Sequence, residues 1–171
     1  ELMNVLDSNL TLFLLLLTFV AAFIGIYIAV RYINQQKFIE IVTARKKVDW
    51  NRVFFSFSLW AVFTIVSIAI MYYTSPQDFV VNFNLVPFLG LAVIAILLIP
   101  IQTSTEEFVF RGYLMQGFGT LFLNKWAPLL TTSVLFGLMH IFNPEVDKIG
   151  YIILIYYIGT GLFLGIITLM D

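Results

Sequence analysis

Polar positions in this chain are few and clustered, and long apolar runs fill the intervals between them. The first run, LTLFLLLLTFVAAFIGIYIAVRYI over residues 10–33, exceeds the roughly 20 apolar residues that cross a bilayer, so it predicts a spanning helix with some tilt. A second, VFFSFSLWAVFTIVSIAIMYY, covers residues 53–73. A third re-enters at Leu85 and continues to about Phe122. At about 1.5 Å per residue it would reach roughly 57 Å, too long for one simple crossing. Pro100 lies inside it, and an internal proline removes a helical hydrogen bond. The expectation is one long kinked helix or two collinear pieces, with QTSTEE just past the kink. After a turn at LNKW, the stretch PLLTTSVLFGLMHIF predicts a helix over residues 128–142, with its proline in the first turn. NPEVDK reads as a polar loop, and residues 149–170 as the last segment. Five or six such segments predict an all-α, polytopic transmembrane bundle of about six helices.

Composition agrees with the pattern. Apolar residues make up 61% and charged residues 11%, against about 25% charged in an ordinary soluble domain. Mean hydropathy is +0.98. The absence of cysteine excludes disulfides, thiolate metal sites and a cysteine nucleophile. A net charge of −1 suggests no nucleic-acid partner; the expected partners are membrane lipids and a peptide or lipid-anchored protein. The start, ELMNVLDSN, has no basic n-region of a signal peptide and no initiator methionine, so the chain reads as a fragment.

Charge then gives orientation. NQQKFIEIVTARKKVDWNR, between the first two runs, carries Lys37, Arg45, Lys46, Lys47 and Arg52, with Arg31 just before it. The positive-inside rule places this stretch in the cytoplasm, and it reads as a topology signal rather than as part of a site. The loop TSPQDFVVNFN then faces outward. Near the end, Gly161 and Gly165 have GxxxG spacing, which allows close packing and predicts an intramolecular seam. The chain divides into residues 1–84, with two spans and the basic loop, and residues 85–171, with the candidate chemistry, within one membrane domain.

That chemistry lies in STEEFVFRGYL. A carboxylate at a membrane helix centre costs about 2.5–3.5 kcal/mol, so two side by side need compensation. Arg111 is four residues after Glu107, hence on the same helical face, and the pair can neutralise itself. Glu106 has Phe at i+4; its neighbours one turn back are Gln102 and Thr103, which can hydrogen-bond it. Adjacent carboxylates in a low dielectric do not ionise equally, so Glu107 reads as the locked partner of Arg111 and Glu106 as the group free to exchange protons. His140 is the chain's one histidine. Counted from a turn near residue 124, Glu107 and His140 lie at nearly equal depth in an antiparallel hairpin. Phe136 and Thr132 share the helical face of His140. Glu106 and His140 are therefore expected to share a pocket between neighbouring spans.

EEFVFRG fits EExxxR and FGLMH fits FxxxH, about 30 residues apart, in a polytopic chain. Over roughly residues 86–171 this resembles the CPBP or Abi family of intramembrane proteases, which includes CAAX prenyl endopeptidases and bacteriocin-processing or immunity proteins. The resemblance implies an endopeptidase that uses water rather than a covalent nucleophile. Glu106 would activate the water with help from His140, Glu107 and Arg111 would orient and support, and Phe136 would pack beside the site. A metal cofactor such as zinc is one mechanism the resemblance allows, and a metal-free glutamate mechanism is the other. Only His140 and one glutamate can be named as ligands, and no H-E-x-x-H is present. The family's further C-terminal motif, His or Asn followed four residues later by Asn or Asp, has no counterpart before GIITLMD ends the chain. The expectation is a truncated chain or one without that helix. The alternative function is a non-catalytic binding or bacteriocin-immunity protein of the same family. Proton-coupled transport would use buried acids too, but it predicts inverted repeats, and none is detectable. A bacterial cytoplasmic membrane is the expected location.

Overall fold

The computed structural model describes residues 6–170; residues 1–5 and 171, on which the readings of the two chain ends partly fall, lie outside the described residues. Among the described residues every regular element is helical. Four helices are long and apolar enough to cross a membrane, and Trp126–Leu138 is a shorter apolar one. The protein is an integral membrane helical bundle.

Helix α1, Ser8–Ile28, starts where Asp7 Oδ1 accepts the backbone N–H groups of Asn9 and Leu10 at 2.9 and 3.2 Å. These are donors that a helix start leaves without intrahelical partners. It ends in a π-helical turn, Ala29–Ile33. Helix α2, Ile39–Val42, is a single turn within the basic segment, and α3 is Trp50–Thr74. Helix α4, Leu85–Glu107, continues through a π-helical turn, Phe108–Leu114, into α5, Met115–Phe122, so the helical path from Leu85 to Phe122 is unbroken over 38 residues. Pro100 lies within α4 without ending it. Just beyond it, Thr103 donates its hydroxyl to the carbonyls of Ile99 and Pro100 at 3.1 and 3.3 Å.

Helices α1 and α4 run parallel. Near one end Asn9 Nδ2 donates to the Pro87 carbonyl at 2.8 Å, and further along the Thr105 hydroxyl reaches the Phe19 carbonyl at 3.4 Å. At the other end α2 folds back on the π turn. Ile41 is buried with Ile26 and Val30, and Phe108, Val109 and Tyr113 pack against them. Gln116 Nε2 donates to the Glu40 carbonyl at 3.1 Å, and Gly112 admits the Ile41 backbone where a Cβ would collide with it.

The α5–α6 turn is closed by Leu123, at φ 52°, and by Asn124, whose Oδ1 accepts the N–H groups of Trp126 and Ala127 at 3.0 and 2.9 Å. Helix α6 is Trp126–Leu138, shorter than the expected 128–142 at its far end. Asn143 precedes a proline and is extended (φ −71°, ψ 145°), as the proline ring requires, so the chain unwinds through a turn at residues 139–142. NPEVDK is not a loop. Pro144–Ile149 forms α7, with proline at its start, Glu145 and Asp147 in the first turn, Lys148 in the last, and Gly150 at φ 86° after it. The last segment, α8, begins at Ile153 rather than Ile149 and runs to Met170.

Helices α6 and α8 are antiparallel with a constant register: Gly137 faces Ile158, Ser133 faces Gly161, and Leu129 faces Gly165. A Cβ on Gly161 would stand 3.1 Å from both the Cα and the carbonyl oxygen of Ser133. The two glycines of GLFLG therefore form an intramolecular seam.

Candidate functional site

Helix α4, its π turn, α6 and α8 converge on one line of side chains. Glu107 closes α4, and its Oε1 lies 3.0 Å from a guanidinium nitrogen of Arg111, the i,i+4 pairing the spacing predicts. The Arg111 side chain is 5% exposed and that of Glu107 38%, so the cation is the buried member. A second guanidinium nitrogen donates to the Gly161 carbonyl on α8 at 3.2 Å. The absence of a side chain at Gly161 lets α8 approach α6 closely there. The guanidinium lies over the Phe136 ring of α6, 4.5 Å from its centroid. That is cation–π range, and the ring shields the charge from the hydrocarbon. Phe110 meets Phe136 edge-on at 5.3 Å, which places the π turn level with the end of α6.

Phe136 in turn touches His140, with ring centroids 4.8 Å apart. His140 stands just beyond α6, not on it. Its backbone N–H bonds Gly137 at 3.1 Å, Met139 bonds Leu135 at 3.0 Å, and Ile141 bonds Leu138 at 3.1 Å. The Phe136 carbonyl is skipped by these backbone bonds, and His140 Nδ1 lies 2.7 Å from it. On the other side Tyr157 of α8 stacks on the imidazole, with centroids 4.2 Å apart and ring planes 18° from parallel.

Glu106 lies beside this line rather than in it. It is half-buried on α4, and Gln102 Nε2 donates to its Oε1 at 3.4 Å, one of the two neighbours the sequence offers it. Thr103 bonds backbone carbonyls instead. The structure thus brings Glu107, Arg111, Phe136 and His140 together, with Glu106 adjoining in sequence. A cavity of about 790 Å³ opens on the Glu107–Arg111 side. Glu107 and Arg111 line it; Glu106 and His140 do not. Its opposite wall is the basic segment, including Thr43, Arg45, Asp49 and Arg52. Asp49 bridges the two arginines at 3.6 and 3.5 Å. The basic segment therefore lines the cavity as well as carrying the charges that predict orientation. The four-residue run IEIV in its middle, which forms α2, is the trace of this packing in the sequence. Tyr157 has no such trace, because only tertiary contact with α6 brings it to His140.

A catalytic zinc takes three protein ligands in most sites. Among the described residues no three His, Asp or Glu side chains converge, so the donors present do not fit such a site. The chemistry these residues can support is that of carboxylate, imidazole and water.

A family model described as type II CAAX prenyl endopeptidase Rce1-like matches residues 82–171, the half that holds every residue of this line. The uncharacterized protein YyaK of Bacillus subtilis (strain 168) is 34% identical over 143 residues, which is 83% of this chain and 48% of that protein. The chain therefore spans about half the length of the curated relative it matches. No solved structure matches it. With its Glu-Glu-Arg helix, depth-matched histidine and all-helical membrane architecture, the chain belongs to the Rce1-like family of type II CAAX prenyl endopeptidases.

Proposed function

We propose that this protein is an intramembrane endopeptidase that hydrolyses a peptide bond of a membrane-presented substrate, with residues 85–171 as its catalytic core. The observation that carries the reading is the unbroken line Glu107–Arg111–Phe136–His140 across three elements, with a 790 Å³ cavity beside it. Ionisable groups inside a membrane are costly, and they mark sites of function by default. Glu106 is the base. It takes a proton from a water as that water's oxygen bonds to the scissile carbonyl carbon. The tetrahedral species then breaks its C–N bond, and the proton held by Glu106 passes to the leaving amine. His140 assists at the same centre through Nε2. Glu107 is already engaged by Arg111 and holds the helix segment that presents Glu106. Arg111 and Phe136 tie that segment to α8 and α6. The cavity reaches Glu107 and Arg111 rather than Glu106 and His140, and its wall of α2 and the basic segment puts it on the cytoplasmic side of what we take to be a bacterial cytoplasmic membrane.

Purified protein in detergent, offered labelled lipid-anchored and transmembrane peptides, tests this. Cleavage by the wild type that is lost in Glu106→Gln and in His140→Ala supports it. Peptide binding without cleavage by all three would support the immunity or binding role instead.

A further inference from the structure

We infer that Tyr157 is a positioning residue for His140, and that together with the Phe136 carbonyl it fixes the imidazole as the Nδ1–H tautomer with Nε2 as the free base. The role given to Nε2 rests on the proposed function; the tautomer and the clamp do not.

A carbonyl oxygen can only accept, so the 2.7 Å contact between His140 Nδ1 and the Phe136 carbonyl requires the proton to be on Nδ1. Phe136 is the residue whose carbonyl the tightening end of α6 bypasses, since the N–H groups of residues 139, 140 and 141 go to 135, 137 and 138. An unpaired carbonyl near the membrane interior is expensive, so the imidazole is held to it. In a neutral ring the second nitrogen then carries the lone pair. One hydrogen bond leaves the ring free to swing about its side-chain torsions. The Tyr157 ring removes that freedom from one face at 4.2 Å, and the Phe136 ring bounds it from another at 4.8 Å. The clamp depends on the helix register. Gly137 lets Ile158 approach the α6 backbone so closely that any Cβ would collide with it, and Tyr157 is the next residue along α8. A histidine that merely capped a helix would need the carbonyl alone; the stacked ring from a different helix adds orientation.

His140 is the chain's one histidine, so labelling with ¹⁵N-histidine reports a single side chain. The full chain in detergent micelles, at a pH where the ring is neutral, is expected to show Nδ1 protonated and Nε2 bare. Tyr157→Leu is expected to shift both nitrogens toward an averaged tautomer population, and Tyr157→Phe to restore the wild-type pattern. In preparations that cleave peptide, Tyr157→Leu is expected to lower kcat about tenfold with KM unchanged, and Tyr157→Phe to restore it. A wild-type spectrum with the proton on Nε2, or a Tyr157→Leu spectrum identical to wild type, overturns the inference. The expected spectra in a protein that cleaves nothing would leave the clamp standing and refute the endopeptidase reading. Circular dichroism at the same temperature identifies any variant that has failed to fold, and Tyr157→Trp then replaces Tyr157→Phe as the ring-retaining control.

Discussion

Arg111 shows how one side chain can hold three elements. Its guanidinium pairs with Glu107 at 3.0 Å, donates to the Gly161 carbonyl at 3.2 Å, and lies 4.5 Å over the Phe136 ring. A planar fork can do all three at once; a lysine ammonium cannot match that geometry. Arg111→Ala should therefore cost about 2 kcal/mol, because it removes a charge-assisted hydrogen bond, a cation–π contact and an ion pair together, and Arg111→Lys should recover only part of this. Thermal unfolding in detergent measures both, and a lysine variant as stable as wild type would contradict the three-way role. The Glu107–Arg111 contact was legible in the sequence because it is an i,i+4 relation along a continuous helical path, whereas Phe136 and His140 meet although the chain has left α6 before His140. Tyr157 was not legible, since its contact with His140 depends on the α6–α8 register.

The α6–α8 seam shows what glycine does at the level of elements. A Cβ at Gly161 meets backbone atoms of Ser133 at 3.1 Å, which cannot move without shifting the helix. A Cβ at Gly165 meets chiefly the end of the Leu129 side chain, which can rotate away, and one at Gly159 meets nothing within 4 Å. Gly161→Ala is thus expected to cost about 1–3 kcal/mol and Gly165→Ala less, whereas Gly159→Ala should be neutral or stabilising. Equal effects at 161 and 159, measured by unfolding in the same detergent, would count against the seam. Helix ends were harder to read than helix cores. The Asn143–Pro144 step that stops α6 before His140 also starts α7. Proline at the first position, acids in the first turn and a lysine in the last mark a helix in NPEVDK, and the segment's polarity hid it. The π turn at Phe108–Leu114 leaves no signal in an apolar periodicity, yet it is where α4 meets α2.

Over the whole molecule, hydropathy alone located the four helices long enough to span, because a bilayer selects for length and apolarity more strongly than a core does. It did not show which spans pack. Helix α1 lies along α4, whereas α3 has no buried residue among those described and presents apolar side chains all round, as lipid allows. The basic segment and the 75–84 loop lie at opposite ends of α3 and should face opposite sides of the membrane. Because the chain has no cysteine, Lys47→Cys and Asn82→Cys each give a single label site. An impermeant maleimide added outside intact cells should label residue 82 and not 47; the reverse would invert the topology and move the cavity mouth to the other face.

The proposed hydrolysis requires Glu106 and His140 to act on the same peptide bond. The measurement is cleavage of a membrane-presented peptide by purified wild type, Glu106→Gln and His140→Ala, each shown to be folded. The wild type is expected to cleave, and each variant to lose about 100-fold or more in rate. Cleavage that persists in either variant at the wild-type rate would contradict that requirement.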